Sequence, residues 1–416
     1  MDNIVRQRSF RRAVILIAMC GITVPSWMAP QQAAVSAAAE SKVPPTSAYA
    51  GAAACAQCHE KEARTYASTA HAIDSSLPST KTILGDFSPL HAVLRTSNPN
   101  LVYAMVARPD GFYQSAVNIS DPQHLTAQSE RFDIVVGSGR HGQTYLYWKD
   151  DKLFELPVSY WTYTHQWVNS PGYPDGELHW DRAVQPRCLE CHVSYFTSVP
   201  PPANRYVKGS LVLGIDCERC HGPGALHVAR ERSATPPRPG SPEEAIVNPA
   251  HLNRDQQMGL CSLCHAGPGP ERGPALSYVV GDNIEDFLKL TPPAPNTPID
   301  VHGNQAGALE ESKCFTSGKL TCSTCHNVHE TQENADAFSR HCMECHELRA
   351  CGQYRTMGLA IGGKCIECHM PVGKSGVIES SAAGHRMQAT MRAHRIAIYP
   401  DAGREPDGTI HAGKSE

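Results

Sequence analysis

The apolar and polar positions of this chain follow different patterns in successive stretches. An unbroken apolar run, Ala13 to Ala29, follows four arginines within the first twelve residues. Strand-like alternation then dominates residues 101–160, and beyond residue 188 neither the helical nor the strand period persists for long. The pattern therefore predicts a leader, a β-rich region and a long irregular region with sparse regular structure.

Residues 1–39 have the features of a Sec-type signal peptide. Arg6, Arg8, Arg11 and Arg12 precede the apolar run, and small residues around Ala33 to Ala39 suit a signal peptidase. An uncleaved leader that anchors the chain to a membrane is the alternative. Cys20 follows Met19, which is a poor fit to a lipoprotein site. No other segment approaches 18 apolar residues, so we expect a soluble mature protein.

A small antiparallel β unit is predicted within an insertion at residues 77–187. Turn signals occur at Pro109-Asp110-Gly111 and at Lys149 to Lys152. The alternating stretches are Leu101 to Ala107, Phe112 to Asn118, Phe132 to Val136, Thr144 to Trp148 and Leu153 to Tyr160. The unit serves either as structural packing or as a substrate or partner surface.

Two stretches favour helix by their residue types. Glu60 to Ala70 is a run of helix formers that ends at His71. The segment His385 to His394 is expected to be partly helical and to return one histidine to the rest of the chain.

The chain carries seven copies of the motif Cys-x-x-Cys-His. With 21 histidines in 416 residues, a histidine after all seven pairs by chance has odds of roughly one in a billion, and the motif is the signature of covalent c-type haem attachment. The copies, numbered one to seven in chain order, are Cys55, Cys58, His59; Cys188, Cys191, His192; Cys217, Cys220, His221; Cys261, Cys264, His265; Cys322, Cys325, His326; Cys342, Cys345, His346; and Cys365, Cys368, His369.

Structural zinc is the rival interpretation of paired cysteines. Zinc does not require a histidine directly after the second cysteine, and it suits a reducing compartment rather than an exported protein. The motifs therefore predict seven covalently attached haem c groups.

Composition and charge agree with a chain folded around cofactors. Only 7% of residues are aromatic, and there are 32 glycines and 32 prolines, which is typical of a loop-rich chain. Porphyrins are large apolar bodies, so seven of them would supply much of the core. The formal charge is −4 and no basic cluster stands out, so nucleic acid is not an expected partner.

The motif positions divide the chain. We expect a first haem segment at 48–76, the haem-free β insertion at 77–187, a six-haem core at 188–400 and a C-terminal tail at 401–416. Six motifs lie between Cys188 and His369, which predicts closely spaced haems suited to electron transfer.

The seven motif histidines are predicted proximal iron ligands, and the sixth ligand decides function. A second histidine gives a saturated low-potential carrier, methionine raises the potential, and an open position binds substrate. Histidines outside the motifs are numerous enough to saturate every iron. The best-placed are His71, His227, His329 and His394, followed by His179 and then His141, His302 and His341; His91, His124 and His411 are expected to be surface residues, and Met387 and Met391 are less favoured ligands.

Two cysteines of the mature region lie outside the motifs. Cys314 and Cys351 are candidates for a disulfide in an oxidising compartment. Two buried free thiols are an equal alternative.

Several segments resemble multihaem cytochromes c of the cytochrome c-552/c-554 type, a family with doubled Cys-x-x-Cys-His motifs, over about Tyr49 to Pro400. The similar segments are Gly214 to His227, Val247 to His251, Cys314 to His329, and Cys368 to Pro371 followed by His394. The resemblance implies a mostly α and irregular fold with largely bis-histidine irons, and distal ligands at His71, His179, His227, His329 and His394. No Cys-x-x-Cys-Lys motif occurs, which counts against a nitrite reductase.

Two functions follow from these observations. The first is an exported periplasmic or extracellular heptahaem carrier of single electrons between a membrane quinol-linked donor and a terminal reductase or oxidase. The alternative is an oxidoreductase in which one open haem acts on a small nitrogen or sulfur compound, with Arg140-His141 and Tyr160 to Tyr173 as the segments nearest to such chemistry. A subunit of a conducting filament is a third interpretation.

Overall fold

The computed structural model describes residues 43–121, 123, 125–201, 204–267, 269–290 and 304–400. The predicted leader (1–39) and tail (401–416) lie outside the described residues, as do Cys20, His124, His302 and His411. All described residues fall in one unit of the chain, Ser41–Glu416.

Most strands precede the second motif; two short strands lie between the second and third motifs, and a hairpin lies near the C-terminus. They are β1 Ser75–Ser76, β2 Val93–Arg95, β3 Leu101–Arg108, β4 Gly111–Asn118, β5 Thr126–Arg131, β6 Ile134–Val136, β7 Gly142–Lys149, β8 Lys152–Glu155, β9 Val158–Trp161, β10 Gln166–Asn169, β11 Val193–Tyr195, β12 Val212–Leu213, β13 Val372–Ala382 and β14 His385–Arg392.

The α-helices are short, and many begin or end at a motif residue. They are α1 Ala52–Cys55, α2 Glu60–Tyr66, α3 Pro186–His192, α4 Cys217–His221, α5 Ala225–Glu231, α6 Arg254–His265, α7 Gln305–Glu310, α8 Lys313–Ser317, α9 Ala335–Cys342, α10 Tyr354–Met357 and α11 Cys365–His369. None of the helices in the described part of the chain combines the length and apolar character needed to span a bilayer.

The expectation of a mostly α and irregular fold is wrong. The chain is 29% helical and 24% strand, with the strands in four antiparallel sheets. One sheet has the order β2-β3-β4-β5, and the largest has β1-β6-β7-β9-β10 with β8 on β7. Strand content is high because alternating stretches pair into two sheets with their own core, while most motif helices last only one or two turns.

The two larger sheets are joined by buried aromatic and amide groups. The rings of Phe132 and Tyr145 stack with centroids 4.3 Å apart, and Trp167 packs edge-on against Phe132. Gln114 of β4 is fully buried, and its amide both donates to the Val158 carbonyl (3.1 Å) and accepts from the Val158 N–H (2.9 Å). A buried amide satisfied at both ends fixes one sheet against the other.

One sheet contains residues from both sides of the predicted boundary between the first haem segment and the insertion. Ser75 and Ser76, at the end of the first segment, pair with Val136 and Val135 of the insertion. The division into 48–76, 77–187 and 188–400 therefore remains a description of motif spacing.

The segment 385–394, for which the sequence predicted partial helix, is instead a strand followed by a short loop. β14 pairs with β13, and Ala389 is buried against Trp161 and Val168 of the insertion. Asn169 donates to the Ser381 hydroxyl at 2.8 Å. Burial against the β unit outweighs the helix propensity of this segment, as tertiary context commonly does.

We predict that the β unit depends on its own side-chain core. Leu156→Ala removes a side chain with 0% exposure, so the free energy of opening this unit should fall by about 2–5 kcal/mol. Hydrogen exchange of the β7 and β9 amides measures this. Leu90→Ala, at a position 89% exposed, is the matched control and should leave exchange unchanged; equal protection in both variants would contradict the prediction.

Candidate haem-binding sites

The motif residues are brought together by single helical turns. His59, His326 and His346 each donate their backbone N–H to the carbonyl of the first cysteine in their motif, at 2.9, 3.0 and 2.9 Å. This i, i+4 relation places the first thiol and the imidazole on one side of the turn. The local fold therefore presents a cysteine and a histidine to the same body, as covalent haem attachment requires.

Capping residues fix where several of these turns begin. Asp216 accepts a hydrogen bond from Glu218 N–H at 3.1 Å at the start of α4. Asn253 and Gln256 form a reciprocal capping box on α6, which ends at His265. Caps of this kind stabilise helix ends by roughly 1 kcal/mol each.

The first five motifs line one connected cavity of about 2070 Å³. Every cysteine and histidine of those motifs contributes to its wall, and the sixth and seventh motifs do not. His71, His227 and His329 also line this cavity. A wall of thiols and imidazoles around one large space fits several flat apolar cofactors held side by side.

Three motif histidines face an imidazole from elsewhere in the chain. The ring centroids of His265 and His71 are 6.1 Å apart, those of His221 and His329 are 6.1 Å apart, and those of His326 and His394 are 6.3 Å apart. Two imidazoles on opposite sides of an iron have centroids roughly 6 Å apart, because each metal–nitrogen bond is about 2 Å. These three pairs therefore fit bis-histidine ligation of the fourth, third and fifth motif haems.

Hydrogen bonds at Nδ1 leave the other ring nitrogen of several histidines free. Nδ1 of His221 lies 2.8 Å from the Val247 carbonyl, and Nδ1 of His369 lies 2.8 Å from the Ala397 carbonyl. Nδ1 of His227 is likewise 2.8 Å from the Glu244 carbonyl. A carbonyl only accepts, so Nδ1 carries the proton and Nε2 keeps the lone pair that binds a metal.

Desolvation by the surrounding protein favours the neutral form of five of the six paired imidazoles. It lowers the pKa of His265 and of His326 to about 4. It also lowers the pKa of His71, His221 and His394. A neutral imidazole has the lone pair that iron ligation needs at neutral pH.

Thiols of different motifs lie near each other in four places. In these pairs one thiol raises the pKa of the other: Cys217 that of Cys55, Cys264 that of Cys191, Cys322 that of Cys261, and Cys365 that of Cys342. Cys220 and Cys261 are close enough for their charges to interact, as are Cys325 and Cys342. The motifs therefore follow one another in space in the order one, three, four, five, six, seven, with the second beside the fourth.

Acidic residues inside the motifs hold neighbouring motifs together. The buried Glu218 carboxylate accepts from the N–H groups of Ala50, Gly51 and Gly224 at 2.7, 2.8 and 2.7 Å. The buried Glu190 carboxylate of the second motif lies 3.6 Å from the guanidinium of Arg219 in the third motif. Sequence reasoning missed Glu190 and Glu218, although the acidic residue between the two cysteines of each of these two motifs was the available signal.

The remaining candidate ligands lie in different places. His141, His341 and Met391 line the cavity, and Met387 packs near Trp161.

His179 is not part of the cavity wall. Its Nε2 is 3.0 Å from the Glu177 carboxylate and its Nδ1 is 3.7 Å from Asp181. The exposed His91 pairs with Asp86.

The segments proposed for open-haem chemistry are only partly directed to the cavity. Tyr163 lines the cavity. The Arg140 guanidinium instead donates to the Gln332 carbonyl and the Glu333 carboxylate, each at 3.2 Å.

Cys314 and Cys351 are free thiols, so these two described residues form no disulfide in this structure.

Comparison with known proteins supports the cofactor class. A family model described as cytochrome c554 and c-prime matches residues 141–222, which contain the second and third motifs. Together with the seven motifs, this match identifies the chain as a multihaem cytochrome c that binds haem c. None of the curated proteins is significantly similar in sequence.

Two solved structures are distantly similar. The outer cell wall cytochrome OcwA is 16% identical with a TM-score of 0.49, over 84% of this chain and 79% of that chain. The undecahaem cytochrome from the S-layer of Carboxydothermus ferrireducens is 18% identical with a TM-score of 0.39, over 79% of this chain and 52% of that chain.

The ring pairs predict which substitutions change the spin state of an iron. His394→Ala removes the imidazole opposite His326, so one haem should become high-spin and bind cyanide or added imidazole. Electron paramagnetic resonance of the ferric protein measures the change. His179→Ala is the control and should leave the spectrum unchanged. An unchanged low-spin spectrum in the His394 variant would refute the assigned pair.

Proposed function

We propose that this protein is an exported heptahaem c-type cytochrome that carries single electrons along its covalently bound haems. The observation that carries the proposal is the closeness of thiols from different motifs, together with the one cavity that the first five motifs line. Haems attached to neighbouring cysteines would lie close together. Close spacing is what electron tunnelling requires, because its rate falls steeply with distance.

The ligand arrangement supports a carrier over a catalyst. When bound, each haem supplies reversible one-electron chemistry at its iron. Three irons would have an imidazole on each side, at His71 and His265, at His221 and His329, and at His326 and His394. Saturated irons exchange electrons without binding substrate, and two histidine ligands favour a low reduction potential.

The proposed distal histidines also connect one haem-attachment site to another. His71 follows the first motif but faces the histidine of the fourth, and His329 follows the fifth motif but faces that of the third. Each such ligand connects two attachment sites through a short piece of backbone. The spacing between those haems is therefore held by the protein and does not depend on flexible loops.

Export and partners follow from the predicted leader at 1–39 and from the redox chemistry. We propose a periplasmic or extracellular location, with a membrane quinol-linked donor at one end and a terminal reductase or oxidase at the other. The first, second and seventh motifs are the ends of the order in which the motif thiols neighbour one another. They are the proposed places for electron entry and exit.

The proposal predicts the haem content and spin state of the whole protein. Full-length chain produced with a haem-attachment system should have the mass of the polypeptide plus seven haems. Its ferric electron paramagnetic resonance spectrum should be dominated by low-spin iron, because paired imidazoles give a strong ligand field. Stepwise reduction should take up one electron per haem.

Two outcomes would contradict this function. Fewer than seven haems in fully matured protein would refute the heptahaem count. A high-spin signal that shifts on addition of nitrite or hydroxylamine, with turnover of either compound, would establish the alternative of an open-haem oxidoreductase.

A further inference from the structure

The second motif differs from the others in what its histidine touches. Nδ1 of His192 lies 2.7 Å from a carboxylate oxygen of Asp74. The corresponding nitrogens of His221 and His369 meet backbone carbonyls at 2.8 Å. Among the described motif histidines with an Nδ1 partner, His192 alone meets a full negative charge.

This difference has a direct consequence for an iron bound at Nε2. A carboxylate that accepts the Nδ1 proton makes the imidazole more basic and fixes its orientation. A more basic ligand, with a negative charge behind it, stabilises ferric over ferrous iron. Second-sphere hydrogen bonding of this kind is one of the means by which a protein tunes haem potential.

The backbone around Asp74 is held on both sides. Its N–H donates to the His71 carbonyl at 3.2 Å, and its carbonyl accepts from Gly137 N–H at 2.6 Å. The next residue, Ser75, donates its hydroxyl to the His192 carbonyl at 2.7 Å. With 21% exposure of its side chain, Asp74 is a partly buried acceptor in a fixed position.

Gly214 packs closely against the backbone of the turn that carries Asp74. Gly214 has φ of +75°, and a Cβ there would lie 2.3 Å from the Ala72 carbonyl oxygen. Only glycine fits this position. The strand before the third motif is thus packed directly against the turn that carries Asp74.

One turn serves two neighbouring haem sites. His71 faces His265 of the fourth motif, and Asp74, three residues later, holds His192 of the second motif. The Cys191 and Cys264 thiols of these motifs are near enough for Cys264 to raise the pKa of Cys191, and Cys191 Sγ lies 3.9 Å from the carbonyl of Leu263, the residue before Cys264. The second and fourth haems would therefore be adjacent. The Asp74 charge also reaches His71 and His265, but the carboxylate is hydrogen-bonded only to His192.

We propose that Asp74 is a positioning residue that lowers the reduction potential of the second motif's haem below that of the fourth, so that electrons pass from the second to the fourth. The inference rests on the proposed heptahaem function. It adds a direction of transfer at the place where the β unit meets the haem array.

Asp74→Asn tests the inference in the haem-loaded full chain. Asparagine keeps an oxygen that accepts the Nδ1 proton but loses the negative charge. The equilibrium constant for reduction of one haem should rise about tenfold, equivalent to about 59 mV for one electron. A spectropotentiometric titration measures this change. The Asp74→Glu variant keeps the negative charge, so its titration curve should match that of the wild type.

Asp133→Asn is the matched control. Asp133 accepts from Trp148 N–H at 2.8 Å on the same β unit and bonds no imidazole in this contact. Its titration curve should match that of the wild type. Mass measurement of seven haems in every variant separates this test from a failure of the proposed function. Superimposable curves for the Asp74→Asn variant and the wild type would overturn the proposal.

A second comparison applies if the Asp74 variant loses a haem. Cys188→Ala with Cys191→Ala removes the second haem, and Cys261→Ala with Cys264→Ala removes the fourth. The first pair should delete a reduction step at lower potential than the step deleted by the second pair. The reverse order would overturn the proposal without reference to Asp74 variants.

Discussion

The structure depends on pairs of imidazole rings held about 6 Å apart, across a space that the side chains themselves do not fill. His71 and His265, His221 and His329, and His326 and His394 are each separated by about the distance that an iron with two axial ligands requires. Desolvation lowers the pKa of His71, His221, His265, His326 and His394, and the thiols beside these rings mark where a porphyrin would be attached. Most other features of the motif-rich region serve to hold these rings in position.

The haem-free β unit contributes to the sites although it carries no motif. It has its own core around Phe132, Tyr145 and Trp167, so it folds on side-chain packing. It also seats the β13–β14 hairpin through Ala389. That hairpin leads directly to His394, the ring opposite His326. The β unit therefore positions His394, the proposed distal ligand of the fifth motif's haem.

The sequence predicts the attachment residues because a covalent motif is local in the chain. It also singles out His71, His329 and His394, but it does not predict which motif each faces, since that depends on tertiary folding. His179 was a candidate both by its position before the second motif and by family resemblance, and its ring lies beside Glu177 and Asp181. Asp74 gave no signal, because a single acidic residue between two predicted elements is common.

The same difference between local sequence information and tertiary packing explains the errors in fold class. The alternating strands of the insertion were readable, but the expectation of a mostly α and irregular chain came from resemblance and underestimated how much sheet they form. The segment 385–392 has helix-forming residues and nevertheless forms β14, because packing against Trp161 and Val168 outweighs local preference.

The most direct test of this account is an iron anomalous-scattering map of the crystallised, haem-loaded protein. The account predicts seven iron positions in one continuous array, with one between His71 and His265, one between His221 and His329, and one between His326 and His394. Iron peaks displaced from these ring pairs, or haems separated into isolated groups, would contradict it.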